Sequence, residues 1–121
     1  KKIIYGWDNN NSEAYNILDL TFKFLTNNGM SQNNFKIYDF DKKNLPIKKF
    51  DMIISLYSLD YHYDFKVYED YFREISTKNT KFIFDTIRSD YFYKKFENVK
   101  IIANHHQTVH QSKRLICIGF K

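Results

Sequence analysis

The stretch FDMIISLYSLDYHYDFKVYEDYFREISTKNTKFIFDTIR, which spans residues 50–88, carries the clearest structural pattern of this chain. Residues 52–57 are almost wholly apolar, as is typical of a strand that is buried on both faces. Residues 65–75 carry apolar side chains at helical spacing, and residues 81–84 form a second short apolar run. Strand, helix and strand in this order predict a βαβ unit, in which the two strands pair in parallel through a right-handed crossover.

The loop between the first of these strands and the helix is polar and aromatic, and reads SLDYHYD over residues 58–64. Its last residue, Asp64, is a suitable N-cap for the helix. In open parallel sheets, ligands bind at the carboxyl ends of the strands. This loop is therefore the first place at which we expect chemistry.

The composition fits one domain over residues 1–121, with 43% hydrophobic and 27% charged residues. The formal net charge is +5, but the lysines are scattered in pairs, which favours a solvated surface over a nucleic-acid-binding face. The single cysteine, Cys117, lies in an apolar run and favours a buried thiol in a reducing, cytoplasmic compartment. No apolar run approaches the length of a membrane span.

The remaining segments extend the alternation of strands and helices. The last two predicted strands have no helix between them and should form an antiparallel hairpin. The sequence thus predicts an α/β fold of about six strands and three helices, with a mostly parallel sheet that ends in an antiparallel strand. Ser12 and Ser89 are suitable N-caps, and Gly29 stands where a C′ glycine would end a helix. Outside the central unit we predict strands at residues 2–7, 35–40, 99–103 and 114–120, and helices at residues 13–28 and 90–98.

Acidic residues follow the first two predicted strands. Asp8 could accept hydrogen bonds from vicinal ribose hydroxyls, or could serve only as a turn former beside three asparagines. Asp39 and Asp41 flank Phe40 at the end of the second strand. An acid there could accept from an adenine amino group while Phe40 packs on the ring, although an ordinary Asx turn explains these residues taken alone.

Histidines mark two of the predicted loops. His62 lies after the central strand, with Asp60 two residues before it. A histidine there could act as a general base on a hydroxyl, because histidine titrates near neutrality; the alternative is a ring that packs at the sheet edge. His105, His106 and His110 share a later loop, but no supporting carboxylate or cysteine pattern accompanies them, so we predict no metal site.

Two longer stretches are informative when they are read together. The first is IIYGWD, which ends at Asp8, and the second is DFDKKNLPIKKFDMIISLYSL, which contains Asp41, the pair Leu45-Pro46 and the pair Phe50-Asp51 before the apolar strand. Together they resemble the class I S-adenosylmethionine-dependent methyltransferases. The run ISLYSLDYHYDF further resembles a group of bacterial sugar or small-molecule methyltransferases, which have a Phe/Tyr-His-Tyr step after the central strand.

The resemblance implies a Rossmann-like three-layer sandwich that binds S-adenosylmethionine and methylates a hydroxyl or an amine of a small molecule or sugar. At the substrate end it implies that His62, with Asp60, removes the proton from a hydroxyl nucleophile. Toward the cofactor, the resemblance implies that Asp8 binds the ribose and that Asp41 with Phe40 binds the adenine. It further implies that Ser55 and Leu56 line the adenosine and methionine ends.

The chain departs from the family pattern in one respect, because the first strand of the family and its glycine-rich loop are absent. The glycines of the chain, Gly6, Gly29 and Gly119, form no such loop. We therefore expect either the downstream part of a longer protein, incomplete at its amino terminus, or a degenerate domain. A non-catalytic binding or partner module stays open as an alternative, and the basic balance keeps an RNA methyltransferase open as well.

Overall fold

The structure, a computed structural model, describes residues 2–3, 16–39, 45–61, 63–105 and 111–121. The chain divides into two compact units, Lys1–Pro46 and Ile47–Lys121. Within the described residues, no helix is long and apolar enough to cross a membrane.

The first unit contains a short antiparallel ladder and one α-helix. Strand β1 (Lys2–Ile3) pairs with strand β2 (Asn16–Ile17), and helix α1 (Leu18–Asn27) follows directly. A 3₁₀ helix covers Gln32–Asn34, where the Ser31 side chain caps the start by accepting a hydrogen bond from the backbone N–H of Asn33.

Gly29 ends α1 as the sequence predicts. Its φ of +86° lies in the left-handed region, which glycine adopts without strain. Its N–H donates to the carbonyl of Thr26, and the N–H of Met30 donates to the carbonyl of Leu25, both at 3.0 Å. These two bonds form a Schellman motif, so the predicted C′ glycine is confirmed.

The second unit is a four-stranded mixed sheet with helices in its crossovers. Its spatial order is β3-β4-β6-β5. The first two of these strands are parallel, whereas β6 runs antiparallel to both of its neighbours, so the predicted parallel pair and the predicted terminal hairpin are confirmed. The elements are, in chain order, β3 (Met52–Ser55), a 3₁₀ turn (Phe65–Tyr68), α2 (Glu69–Ile75), β4 (Lys81–Thr86), α3 (Ser89–Lys95), β5 (Phe96–Asn104) and β6 (Lys113–Phe120).

Strand direction brings several chain segments to one edge of this sheet. Because β6 is antiparallel to both β4 and β5, those two strands point the same way, and β3 points with them. The carboxyl ends of β3, β4 and β5 and the amino end of β6 therefore meet at a single edge, which we call the carboxyl edge.

Phenylalanine rings fill the core of the second unit. Phe65, on the 3₁₀ turn, is fully buried, and its ring is 5.2 to 6.0 Å from five other phenylalanine rings, centroid to centroid. Tilted and edge-to-face ring pairs at such distances are favourable beyond their buried area. The inward face predicted for residues 65–75 is confirmed, since Phe65, Phe72 and Ile75 lie in the core and Tyr68 and Tyr71 pack against it. Phe92 of α3 is buried as predicted, whereas Phe96 and Val99 reach the core from strand β5, and α1 has no buried residue.

The predicted fold class is wrong in its sheet. Within the described residues there is no six-stranded, mostly parallel Rossmann-like sandwich, because the main sheet has four strands and a single parallel pair. Residues 35–39 of the predicted second strand form no strand, and β1 pairs with β2 rather than with the four-stranded sheet. Burial does alternate along residues 35–39, but alternation in sequence does not supply the neighbouring strand that a ladder requires.

Two helix boundaries also differ from the prediction. The described part of the helix predicted at residues 13–28 is helical only from Leu18, after the two residues of β2. The helix predicted at residues 90–98 ends at Lys95, because Phe96 is already extended (φ −127°, ψ 153°) and starts β5. The extended backbone at Phe96 lets this side chain enter the core from a strand instead of a helix.

The helix caps of the second unit show one success and one error. The Asp64 side chain accepts a hydrogen bond from the N–H of Lys66 at 3.0 Å, so the predicted cap is confirmed. Ser89 is the first residue of α3 rather than its cap, and Arg88 occupies the cap position without a side-chain capping bond among the described residues.

Candidate functional site

Six polar side chains gather at the carboxyl edge of the four-stranded sheet. Two of them are the buried carboxylates Asp60 and Asp85, and each carboxylate is bonded to an arginine. An exposed tyrosine and a histidine complete the group. We call this set, which comprises Tyr57, Asp60, Asp85, Arg88, His105 and Arg114, the carboxyl-edge cluster.

Asp85 is the buried centre of one half of the cluster. It lies in β4 opposite Arg114 of β6 and accepts from that side chain at both oxygens, Nε to Oδ1 at 3.0 Å and Nη2 to Oδ2 at 3.1 Å. Oδ1 also contacts Nε2 of His105 at 3.1 Å. The bonds to the Asp85 carboxylate raise the pKa of Arg114, so this guanidinium stays charged.

Tyr57 sits in the turn after β3 with an unusual backbone. Its φ of 53° lies in the left-handed region, which is strained for a large side chain. Its N–H donates to Oδ2 of Asp85 at 2.8 Å, and this bond holds the turn in place. Its ring lies edge-on to Tyr61 at 5.9 Å, with the guanidinium of Arg114 5.4 Å from the ring centroid. Tyr57 is nevertheless 40% exposed, so a ligand can reach it.

His105 connects Asp85 to Tyr57. It follows β5 directly, and the hairpin holds it there through the bond from its backbone N–H to the carbonyl of Ser112 at 2.8 Å. Its Nε2 faces the Asp85 carboxylate, and its Nδ1 lies 3.3 Å from the hydroxyl oxygen of Tyr57. An ionised carboxylate only accepts, so with the neutral ring Nε2 carries the hydrogen and Nδ1 accepts from the Tyr57 hydroxyl.

Asp60 anchors the loop after β3 and is the buried centre of the other half of the cluster. Its Oδ2 accepts from the Thr86 hydroxyl at 2.6 Å, and both of its oxygens accept from the guanidinium of Arg88. Its backbone N–H donates to the carbonyl of Tyr63 at 2.6 Å. The bonds to Asp60 raise the pKa of Arg88. With its oxygens occupied in this way, Asp60 is suited to hold the loop rather than to transfer protons.

The residues that the sequence indicates as a site are distributed unevenly over the described structure. Ser55 ends β3, and its hydroxyl accepts a hydrogen bond from the Leu59 N–H at 3.0 Å, so it shapes the loop that also contains Asp60. Leu56 is half exposed at the start of the same turn. Ser55, Leu56 and Asp60 therefore lie in the same segment, at the end of β3 and in the loop that follows it. Outside the described residues lie His62, Asp8, Phe40 and Asp41.

Metal ligands do not converge within the part of the chain that the structure describes, where no group of three or more histidine, cysteine, aspartate or glutamate side chains could hold an ion. Of the three histidines in the late loop, His105 is described and bonds to Asp85 and Tyr57, whereas His106 and His110 lie outside the described residues.

Asp85 and Arg114 were not predicted as site residues, and His105 was considered only as a metal ligand. One signal could have found them. A parallel pair followed by a crossover and a hairpin places the end of β4, the end of β5 and the start of β6 at one edge. Asp85, His105 and Arg114 occupy those three positions.

Comparison with known proteins does not assign a function. No protein-family model matches the chain, and no curated protein and no solved structure matches it either. The function therefore has to be argued from the carboxyl-edge cluster itself.

Proposed function

We propose that this chain takes part in S-adenosylmethionine-dependent methyl transfer to a hydroxyl, or to an amine, of a small molecule or sugar. The observation that carries the proposal is the position of the carboxyl-edge cluster, which joins the turn after β3 to the ends of β4 and β5. Ligands of sheets with parallel strands bind outside the carboxyl ends of those strands. The sequence resemblance to class I methyltransferases points to the same turn, through Ser55 and Leu56.

The described part of this turn fits the cofactor in its chemistry. Leu56 and Tyr57 are both about half exposed and adjacent, so they offer an apolar and aromatic surface of the kind that an adenosyl group contacts. When bound, the cofactor supplies a methyl group on a positively charged sulfur, which activates that methyl without help from the protein. The chain would contribute orientation of the acceptor and removal of its proton.

The residues of the turn divide these tasks between them. Ser55 holds the loop closed through the Leu59 N–H, and Asp60 holds the far side of the loop through Arg88 and Thr86. Their bonds fix the part of the loop that precedes His62, which the resemblance assigns as the base. In this arrangement Asp60 is a positioning residue.

A small acceptor is favoured over RNA by the ion pairs of two of the cations beside Tyr91. Arg88 and Lys95 lie beside the ring of Tyr91, but Arg88 pairs with Asp60 and Asp64, and Lys95 pairs with Glu69 at 2.5 Å. Cations that are neutralised in this way do not form the positive stripe on which a phosphate backbone would rest.

The proposal is tested with the full chain in two steps. Calorimetric titration with S-adenosylhomocysteine measures cofactor binding, and transfer of a tritiated methyl group from S-adenosylmethionine to a panel of monosaccharides and hydroxylated or amino small molecules measures activity. We expect saturable binding and labelling of at least one acceptor class. A folded chain that does not bind S-adenosylhomocysteine contradicts the proposal.

The role of His62 is tested in the same assays. If His62 is the base that the resemblance implies, His62→Ala lowers turnover by on the order of 100-fold, as general-base catalysis predicts, and leaves the affinity for S-adenosylhomocysteine nearly unchanged. Parallel losses of turnover and of affinity would instead show that His62 supports the cofactor site.

A further inference from the structure

We propose that Tyr57, His105 and Asp85 form a proton relay that accepts the proton of the substrate hydroxyl, with Tyr57 as the group that touches the substrate. This inference rests on the proposed function and deepens it, because it assigns the proton acceptor of the same site and favours a hydroxyl as the methylated group. The resemblance assigned the removal of this proton to His62, which is therefore the alternative to the relay. We call the three residues the Tyr57–His105–Asp85 relay.

The geometry of the relay is continuous from a buried carboxylate to an exposed hydroxyl. Asp85 is fully buried, the His105 side chain is 19% exposed and Tyr57 is 40% exposed, so exposure to solvent increases along the relay from Asp85 to Tyr57. The two contacts are Asp85 Oδ1 to His105 Nε2 at 3.1 Å and His105 Nδ1 to Tyr57 Oη at 3.3 Å. Both are within hydrogen-bond reach, and each uses a different nitrogen of the ring.

The backbone supports a functional reading of this contact. Tyr57 has a φ of 53°, although any loop could have placed a glycine or an asparagine there with less strain. The bond from the Tyr57 N–H to Asp85 holds the strained residue, so one carboxylate bonds to both Tyr57 and His105. Strain that the surroundings enforce in this way is typical of functional sites.

The proton movement balances without any further reactant. As the O–H bond of the substrate breaks, its proton passes to Tyr57 Oη and the electron pair stays on the substrate oxygen. The hydroxyl proton of Tyr57 passes at the same time to Nδ1 of His105, which becomes imidazolium. Nε2 keeps its hydrogen, which stays directed at Asp85, and the imidazolium later releases the Nδ1 proton to solvent.

The charges around His105 permit this transfer. Asp85 of β4, Arg114 of β6 and Tyr57 after β3 contact one another around the ring. At rest, Asp85 and Arg114 neutralise each other. The transferred proton then adds one positive charge next to the carboxylate, whose attraction offsets the repulsion from Arg114.

The experiment combines a structural measurement with kinetics. Long-range ¹H–¹⁵N NMR spectra of the full chain report which nitrogen of His105 carries the hydrogen, and they require neither cofactor nor acceptor. We expect the hydrogen on Nε2 in the wild type and in Tyr57→Phe. With the acceptor that the labelling panel identifies, we expect Tyr57→Phe and His105→Gln to lower kcat by on the order of 100-fold with little change in the affinity for S-adenosylhomocysteine.

Tyr93→Phe is the matched control, because Tyr93 is a half-exposed tyrosine of α3 outside the cluster, and its kcat should equal that of the wild type. A hydrogen on Nδ1 of His105 overturns the relay whatever the activity. Binding of S-adenosylhomocysteine with unchanged kcat in Tyr57→Phe and His105→Gln overturns the relay alone. Failure of the wild type to bind S-adenosylhomocysteine overturns the proposed function, and with it the assignment of the relay to methyl transfer.

Discussion

Arg114 donates to both carboxylate oxygens of Asp85, from Nε to Oδ1 at 3.0 Å and from Nη2 to Oδ2 at 3.1 Å. The two residues stand opposite each other across β4 and β6. The pair is therefore set by strand register rather than by a flexible surface contact. It places a satisfied carboxylate beneath Tyr57 and His105, and both of these residues also bond to it.

Replacing Asp85 should destabilise the folded chain strongly. Asp85→Asn removes the charge that balances Arg114 and one of the two oxygens that accept from it, and breaking a buried pair in this way costs about 3 kcal/mol or more. Urea unfolding followed by circular dichroism measures the loss. Asp51→Asn, at an exposed aspartate before β3, is the control and should change the free energy of unfolding by less than about 0.5 kcal/mol. Similar values for the two variants would contradict the structural role of the Asp85–Arg114 pair.

Replacing Arg88 by lysine should not be conservative. The guanidinium bonds to both oxygens of Asp60 and to Asp64, and it also lies 4.7 Å from the ring centroid of Tyr91. A lysine ammonium cannot reproduce this planar fork, so we expect Arg88→Lys to lower the free energy of unfolding by about 2 kcal/mol.

Arg73→Lys provides the comparison for Arg88→Lys. Arg73 pairs with Glu69 at 3.0 Å, donates to the carbonyl of Lys121 and lies 4.8 Å from the ring centroid of Phe120, but among the described residues it bonds to no fully buried carboxylate, so we expect Arg73→Lys to cost less, about 1 kcal/mol or below. Denaturant unfolding of both variants checks the contrast. An Arg88→Lys chain as stable as the Arg73→Lys chain would show that the Asp60–Arg88 pair does not anchor the loop.

The cap at Asp64 should give stability that depends on pH. Two hydrogen bonds lower the pKa of the Asp64 carboxyl in the folded chain. The larger effect comes from the backbone N–H of Lys66 and the smaller one from the side chain of Arg88. The contribution of Asp64 is therefore present above the unfolded pKa of about 3.9 and is lost as the pH falls through the lower folded value. Asp64 is half exposed, so solvent screening keeps the charge contribution small.

Two substitutions separate the cap of Asp64 from its charge. Asp64→Ala should cost about 1 kcal/mol at pH 7, because the Lys66 N–H loses its acceptor, whereas Asp64→Asn keeps an acceptor oxygen and should cost less. Unfolding measured between pH 7 and pH 2 should show the difference between the wild type and Asp64→Asn shrinking in acid. A difference that stays constant over this range would rule out the charge contribution.

The thiol of Cys117 should be unreactive in the folded chain. Cys117 is fully buried in β6, and this burial raises its pKa to about 12, so almost no thiolate is present at pH 8. We expect a thiol-specific disulfide reagent to label the native chain only as fast as the chain unfolds, and to label it rapidly in urea. Fast labelling without denaturant would contradict the burial of this strand.

The resemblance to methyltransferases gave Ser55, Leu56 and Asp60 roles toward a cofactor and a substrate, and these roles stay predictions. The three residues lie at the end of β3 and in the loop that follows it. The six-stranded, mostly parallel sheet that the resemblance implied is wrong for the described residues, since residues 35–39 do not form a strand. A strand needs a partner as well as an alternating pattern, and pairing is not a local property.

Features that depend on neighbours along the chain could be predicted from the sequence. These are the parallel unit around β3, α2 and β4, the inward face of residues 65–75, the Asp64 cap, the Gly29 helix end and the terminal hairpin. Each follows from periodicity, from a capping side chain or from the length of a connection, and all of these act over a few residues.

The insertion of β6 between β4 and β5 could not be predicted from the sequence, nor could the register that sets Arg114 opposite Asp85. That register brings Asp85, His105 and Tyr57 together, although Tyr57 and His105 are 48 residues apart in the chain. Register depends on how whole strands fit against a shared core, and a shift of one residue would turn every side chain of β6 to the other face of the sheet. For this reason the relay could not be found from local sequence pattern alone.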